Sequence, residues 1–249
     1  MRIDLIDSLN RLVHDQHCLR KFRMHRSYFD IESGLKCLQR LAEASAATIH
    51  DLSLYGFFEI GKSIFREGRV LTEMQKFTGL SRIQLYYAEM SEELVKTWVT
   101  GCPNLSFIKF LAFEYAHPAH VITCETWTSL VSTHPNLLVE LRASMFHDVK
   151  RLLEMLSPAI PLLNLSWSTY KEAATEIELT IILHRVAHYH RTIKHLYLRL
   201  LGPFPNLNTT TVQNILSECK NLLPFRCWNV FPYCGEQNLW QLYQQHLVV

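Results

Sequence analysis

The chain has 249 residues, of which 48% are apolar, 11% are aromatic and 19% are charged. This composition can bury a continuous core, so it excludes long stretches of disorder. The formal net charge is only +2, which excludes a global electrostatic field strong enough to indicate nucleic acid as the main partner.

Residues 1–17 are predicted to form an N-terminal capping helix, since apolar residues recur at helical spacing from Ile3 to Val13. Charged residues interrupt this stretch, so we expect no signal peptide. No window of the sequence is apolar over the length that crosses a bilayer, and no membrane contact is expected. The seven cysteines are odd in number and scattered, which favours reduced thiols. Together these features predict a cytoplasmic or nuclear protein.

A short phrase recurs along the chain, in which two apolar residues flank one other residue. The distance from one phrase to the next is 24 to 33 residues, which is typical of a solenoid. The eight phrases are Phe22-Arg23-Met24, Leu52-Ser53-Leu54, Ile83-Gln84-Leu85, Ile108-Lys109-Phe110, Val139-Glu140-Leu141, Leu163-Asn164-Leu165, Leu196-Tyr197-Leu198 and Leu223-Pro224-Phe225.

Segments with helical spacing of apolar residues separate these phrases. They are 32–47, 60–77, 92–99, 121–132, 146–156, 173–190 and 210–219. Each unit therefore predicts a strand, a loop and a helix, and a helix is the usual crossover between parallel strands. The predicted fold class is α/β: a single solenoid domain over residues 1–249, with a curved parallel sheet on its concave face and helices on its convex face. Its repeats span 18–225, and 226–249 form a C-terminal loop and capping helix.

The lead-in Cys102-Pro103-Asn104-Leu105, with His134-Pro135-Asn136-Leu137 and Cys219-Lys220-Asn221-Leu222 in equivalent places, resembles the leucine-rich repeats of F-box proteins. The likeness extends from about Cys18 to Phe225. It departs from the regular cysteine-containing type, because the residue after the strand is rarely Cys or Asn. The irregular repeats of F-box-only proteins match equally well.

The resemblance implies a non-catalytic substrate-recognition region of an SCF-type (cullin) ubiquitin ligase, with a protein substrate on the concave face. No F-box phrase precedes the first repeat, so binding of a Skp-type adaptor and cullin is expected only if an F-box lies outside this chain. The alternative is a leucine-rich-repeat scaffold or inhibitor unrelated to ubiquitin.

Alternate strand residues face opposite sides of a sheet, so the residues between and after the apolar pairs should line the concave face. The middle column is predicted as Arg23, Ser53, Gln84, Lys109, Glu140, Asn164, Tyr197 and Pro224, and the next as His25, Tyr55, Tyr86, Leu111, Arg142, Ser166, Arg199 and Arg226. Tyrosine and arginine often carry binding energy. The candidate anchors are therefore Tyr55, Tyr86, Arg142, Tyr197 and Arg199, although exposed sheet positions favour aromatic residues in any case.

Two clusters of basic residues and histidines are further candidates for a ligand or metal site. Arg20, Lys21, Arg23 and Arg26 lie close together beside His25, which indicates a solvated first strand or a phosphate-binding patch. His184 and His188 are four residues apart, a spacing that suits zinc, but Arg185 replaces the glutamate of a zinc-protease helix. We therefore expect no enzyme, no metal and no cofactor, with a metal-dependent hydrolase as the weakest alternative.

Overall fold

The protein has an α/β fold in which parallel strands alternate with helices. The computed structural model describes residues 2–59, 64–113, 121–144, 148–169, 176–201, 217–222, 225–230 and 237–238. The chain divides into two compact units. The first comprises Met1–Leu111 and Ala116–Leu137, and the second comprises Ala112–Tyr115 and Leu138–Val249.

The first unit begins with helix α1 (Arg2–Asp15), as the apolar spacing of residues 1–17 predicts. Strands and helices then alternate: β1 (Lys21–Arg23), α2 (Ile31–Ser45), β2 (Asp51–Ser53), α3 (Gly68–Gln75), β3 (Arg82–Tyr86), α4 (Glu92–Gly101), β4 (Phe107–Phe113) and α5 (Cys124–Thr133). A 3-10 turn at Ile64–Arg66 precedes α3, and another at Tyr87–Glu89 follows β3. Each strand from β1 to β4 pairs in parallel with the next one along the chain.

The second unit continues the alternation with β5 (Leu138–Ser144), α6 (Val149–Met155), β6 (Leu162–Thr169), α7 (Glu176–Ala187) and β7 (His195–Leu201). It then contains β8 (Phe225–Val230) and the short β9 (Gln237–Asn238). The strands from β5 to β8 pair in parallel in chain order, whereas β9 pairs with β8 in the antiparallel direction.

The core of the first unit lies on one face of its sheet. Leu52, Ile83 and Ile108 share one register position on β2, β3 and β4, and each is fully buried. Three helices of this unit begin at a polar side chain that accepts a hydrogen bond from the first turn, namely Asp30 for α2, Ser91 for α4 and Thr123 for α5, whereas α3 has no such cap. Alternating apolar residues thus bury one face of each strand, while local caps fix where these three helices begin.

The lead-in segments connect successive repeats by hydrogen bonds between equivalent positions. The Cys102 thiol, 3.7 Å from the Phe77 carbonyl oxygen, donates to it, and Nε2 of His134 lies 2.8 Å from the carbonyl oxygen of Cys102. In the second unit the Tyr189 hydroxyl donates to the Ser157 carbonyl oxygen at 2.9 Å. Each of these carbonyl oxygens also accepts a main-chain N–H three residues further on, so the side chains add a second hydrogen bond that ties one repeat to the next.

Replacing His134 by Leu should lower the free energy of unfolding by about 1 kcal/mol, because it removes the buried hydrogen bond to the Cys102 carbonyl oxygen, which then keeps only the Leu105 N–H as a donor. Leucine keeps most of the side-chain volume, so the loss reports mainly on the hydrogen bond. Urea titration followed by circular dichroism measures the change. His190 is exposed, and His190→Leu should shift the value by less than about 0.5 kcal/mol. Equal effects of the two substitutions would contradict this account of the helix ends.

The predicted register is confirmed between the fifth and sixth phrases, where Asn164 lies opposite Glu140 and Leu165 opposite Leu141, although a bulge places Leu162 opposite Val139. It is wrong by two residues between the sixth and seventh phrases. Leu196 and Leu198 of β7 pair with the buried Leu165 and Trp167, not with Leu163 and Leu165. Because β6 continues beyond the predicted pair, Leu165-Ser166-Trp167 provides a second pair of alternating apolar residues, and this pair meets β7.

The eighth phrase is also displaced by two residues, since Phe225 and Cys227 align with Leu196 and Leu198. Residues 225–230 form a strand, so the loop predicted to begin at residue 226 is wrong for this segment. The predicted closing helix after residue 238 and most of the predicted helix 210–219 lie outside the described residues. Within the described part of the chain, no helix combines the length and apolarity that crossing a bilayer requires.

Candidate functional site

The face of the sheet opposite the buried apolar column, here called the strand face, carries the predicted candidates. In the first unit the predicted middle column is confirmed for four strands, because Arg23, Ser53, Gln84 and Lys109 occupy one register position. A preceding column, which was not considered from the sequence, aligns Lys21, Asp51, Arg82 and Phe107.

Asp51 organises the polar contacts of this face. Its carboxylate accepts a hydrogen bond from Nη2 of Arg23 at 2.6 Å and one from Nε2 of Gln84 at 3.3 Å. The Asp51 side chain is only 7% exposed, whereas that of Arg23 is 52% exposed. The guanidinium therefore bridges a buried carboxylate and solvent. Arg23 thus has a defined hydrogen-bond partner on the strand face, unlike a side chain that contacts only water.

Aromatic rings follow the next column. The rings of His25 and Tyr55 lie 5.2 Å apart, and those of Tyr55 and Tyr86 lie 5.6 Å apart. Tyr55 and Tyr86 are only 8% and 5% exposed, so most of each ring is already covered by the chain. Tyr86 also packs over Gly56, where an added Cβ would lie 3.0 Å from a ring carbon. If Tyr55 and Tyr86 served as anchors, only a small exposed part of each ring would be available to a partner.

Glu89 holds the backbone beneath these rings. Its carboxylate accepts a hydrogen bond from the Tyr86 main-chain N–H at 2.9 Å. Burial is the largest influence on this group and raises the pKa of Glu89 to about 8, against the hydrogen bonds from Tyr86, Gly56 and Phe57, which lower it. A buried carboxyl group therefore joins the end of β3 to the turn that follows β2.

The strand face of the second unit has a different alignment from the predicted one. Arg142 and Tyr197 share one column with Ser166, whereas Arg199 lies level with Ser168 in the next column. The prediction placed Tyr197 in the column of Asn164, but the pairing of β6 with β7 is shifted by two residues, so Tyr197 lies opposite Ser166. Arg142 and Arg199 are exposed, and Tyr197 is half-buried. The structure thus brings Arg142 and Tyr197 onto one register position.

The column before them contains Glu140, Asn164 and His195. Glu140 is buried, and its carboxylate accepts hydrogen bonds from Nε of Arg142 at 2.6 Å and from Nδ2 of Asn164 at 3.4 Å. His195 stacks on Tyr197 with ring centroids 6.1 Å apart. Among the described residues, Oδ1 of Asn164 and Nδ1 of His195 are buried without a hydrogen-bond partner. Two buried polar atoms of this column thus remain without a partner beside the exposed Arg142.

Sequence reasoning placed Glu140 and Asn164 in the middle column but missed Asp51 and His195. Both missed residues lie two positions before a predicted middle residue, on the same side of the strand. The sequence signal for both is a polar residue immediately before an apolar pair, at a position where the strand has already begun.

The predicted histidine pair lies at the end of α7. His184 is in the last turn of the helix, whereas His188 follows the helix in a turn, and both are exposed. Within the described ranges, no group of three His, Cys, Asp or Glu residues could hold a metal ion. No protein-family model and no curated protein sequence matches the chain.

Proposed function

We propose that the chain is a leucine-rich-repeat solenoid that binds another protein on its strand face, as the substrate-recognition part of an F-box subunit of an SCF-type ubiquitin ligase. The observation that carries the proposal is the repeated strand-and-helix unit, whose lead-ins hydrogen-bond to equivalent positions of the preceding repeat. The repeated register leaves one sheet face lined with polar and aromatic side chains. Stacked repeats with such a face are typical of protein-binding solenoids.

In this proposal the mechanism is positioning. A rigid array of strands curves with its sheet on the concave side and holds the target near a transferring enzyme, which raises the effective concentration of the target lysine. No residue of the chain makes or breaks a bond. The protein works in the cytosol or nucleus, and its adaptor contacts depend on an F-box outside the sequence described.

The anchors in the second unit are Arg142, Tyr197 and Arg199. Arginine and tyrosine combine a large contact area with directional hydrogen bonding, and partly exposed groups retain that area for a partner.

Affinity purification from cells with mass spectrometry tests the proposal. The baits are this chain, the longest product of its transcript, a Tyr197→Ala/Arg199→Ala variant and a control variant, Lys150→Ala/His184→Ala, on exposed helix positions. We expect the longest product to recover a Skp-type adaptor and a cullin. We also expect the strand-face variant to lose a target that the control retains.

Failure of every bait to recover ligase subunits would remove the ubiquitin assignment and leave a repeat scaffold. Retention of every target by the strand-face variant would remove the assignment of the binding surface. A thermal melt of each bait protein confirms that loss of a target does not reflect unfolding.

A further inference from the structure

The first unit carries a concentration of positive charge on its strand face. Lys21 of β1 and Arg82 of β3 lie on either side of Asp51 at the same register position, and Arg23 lies one column further along. Lys21, Arg23 and Arg82 are all exposed. We call these three residues the basic patch.

Asp51 neutralises only one of the three cations of the basic patch. Its buried carboxylate is already bound by Arg23 and Gln84. The Arg82 guanidinium instead lies 4.5 Å from the centroid of the Phe107 ring. Among the described residues, neither Lys21 nor Arg82 forms an ion pair with a carboxylate. One acid therefore faces three cations, and the patch retains a net positive charge.

His25 lies beside the basic patch, and the charges of two nearby arginines affect its pKa. The pKa of His25 is lowered, first by partial burial and then by the positive charges of Arg23 and Arg26. A histidine surrounded by acidic groups would shift in the opposite direction. Arg23 and Arg26 therefore add positive charge beside the aromatic column.

We propose that the basic patch binds an acidic segment of the partner protein, with Asp or Glu side chains against Lys21 and Arg82. This inference rests on the proposed function and specifies the chemistry of its partner. Guanidinium groups match carboxylates in bidentate geometry, and complementary charge increases both association rate and specificity. The patch spans a few neighbouring strands in a chain with a net charge of +2, which fits a short peptide segment better than nucleic acid.

Fluorescence anisotropy with synthetic probes tests this inference on the full chain. The probes are a short peptide rich in Asp and Glu, the matched peptide with Asn and Gln, a phosphoserine peptide and a single-stranded oligonucleotide. We expect the acidic peptide to bind, its affinity to fall with added salt, and the Asn/Gln peptide not to bind. Lys21→Gln/Arg82→Gln should weaken binding by about tenfold, since it removes the two cations that are proposed to contact the acidic side chains.

Arg40→Gln is the matched control, because Arg40 is exposed on α2 and pairs with Glu43 of the same helix. It should leave the affinity for the acidic peptide unchanged. Equal binding of the acidic and neutral peptides, preference for the phosphoserine peptide or the oligonucleotide, or equal losses from both variants would overturn the inference.

The purification experiment separates this inference from the proposed function. If cells yield a target that depends on the strand face while the acidic peptide fails to bind, the inference is wrong and the function stands. If no target depends on the strand face, the function is wrong whatever the peptide does.

Discussion

Replacing Gly79 by Ala should lower the free energy of unfolding by about 3 kcal/mol. Gly79 lies in the turn between α3 and β3, where an added Cβ would come 2.8 Å from the main-chain carbonyl carbon of Ala47 and closer still to its oxygen. Both contacts are with backbone, so a side-chain rotation cannot relieve them. The His50 ring is also hydrogen-bonded to the Gly79 carbonyl oxygen at 2.9 Å, which ties the two turns together.

Gly68→Ala is the control for this substitution. No atom lies within 4 Å of the Cβ added at Gly68, which is the first residue of α3. Alanine favours helix over glycine, so stability should stay constant or rise slightly. Urea titration of both variants measures the difference. A stable Gly79→Ala variant, or an equal loss from both, would show that successive turns do not pack as closely as described.

The stability of the protein should fall as pH rises from about 5 to about 8, because of Glu89. Burial raises the pKa of this carboxyl to about 8 in the folded state, from an ordinary value of 4.5. Between these values the folded state binds a proton that the unfolded state has lost, so the free energy of unfolding decreases with pH. At about 1.4 kcal/mol per pH unit, the expected loss is on the order of 4 kcal/mol.

Glu89→Gln isolates this contribution, because the amide oxygen can still accept from the Tyr86 N–H but the group no longer ionises. The difference in the free energy of unfolding between wild type and variant should therefore decrease with rising pH. Other titrating groups, such as His25 with its lowered pKa, contribute to both proteins and cancel in this difference. Glu125→Gln, at an exposed position of α5, should keep the wild-type slope. Parallel curves for wild type and Glu89→Gln would contradict the raised pKa.

The strands that the sequence predicts best are those with a clear apolar pair and no extra residue. Ile83-Gln84-Leu85 and Ile108-Lys109-Phe110 align as predicted, because alternation of buried and open positions fixes both the face and the register. The helices between them follow from helical spacing, although α2 begins and ends slightly earlier than predicted. Local patterns therefore determine element type well.

Register and burial on the strand face were harder to predict, because both depend on neighbouring strands. The pairing of β6 with β7 sets Tyr197 level with Arg142, and no local feature of the sequence marks this register. Tyr55 and Tyr86 were expected to be exposed, but packing around Gly56 covers them. The role of Asp51 likewise depends on a neighbouring strand, since Arg23 comes from β1. Long-range packing, rather than residue type, decides which side chains remain open to a partner.

Site-specific photocrosslinking tests the central claim most directly. A photoreactive amino acid is placed at Arg142 or Arg199 on the strand face, and at Lys150 or His184 on the helices, all of which are exposed. The proposed function predicts that a protein partner in cells is crosslinked from the two strand-face positions and not from the helix positions. Crosslinks from the helices alone would place the partner on the opposite surface and contradict the account.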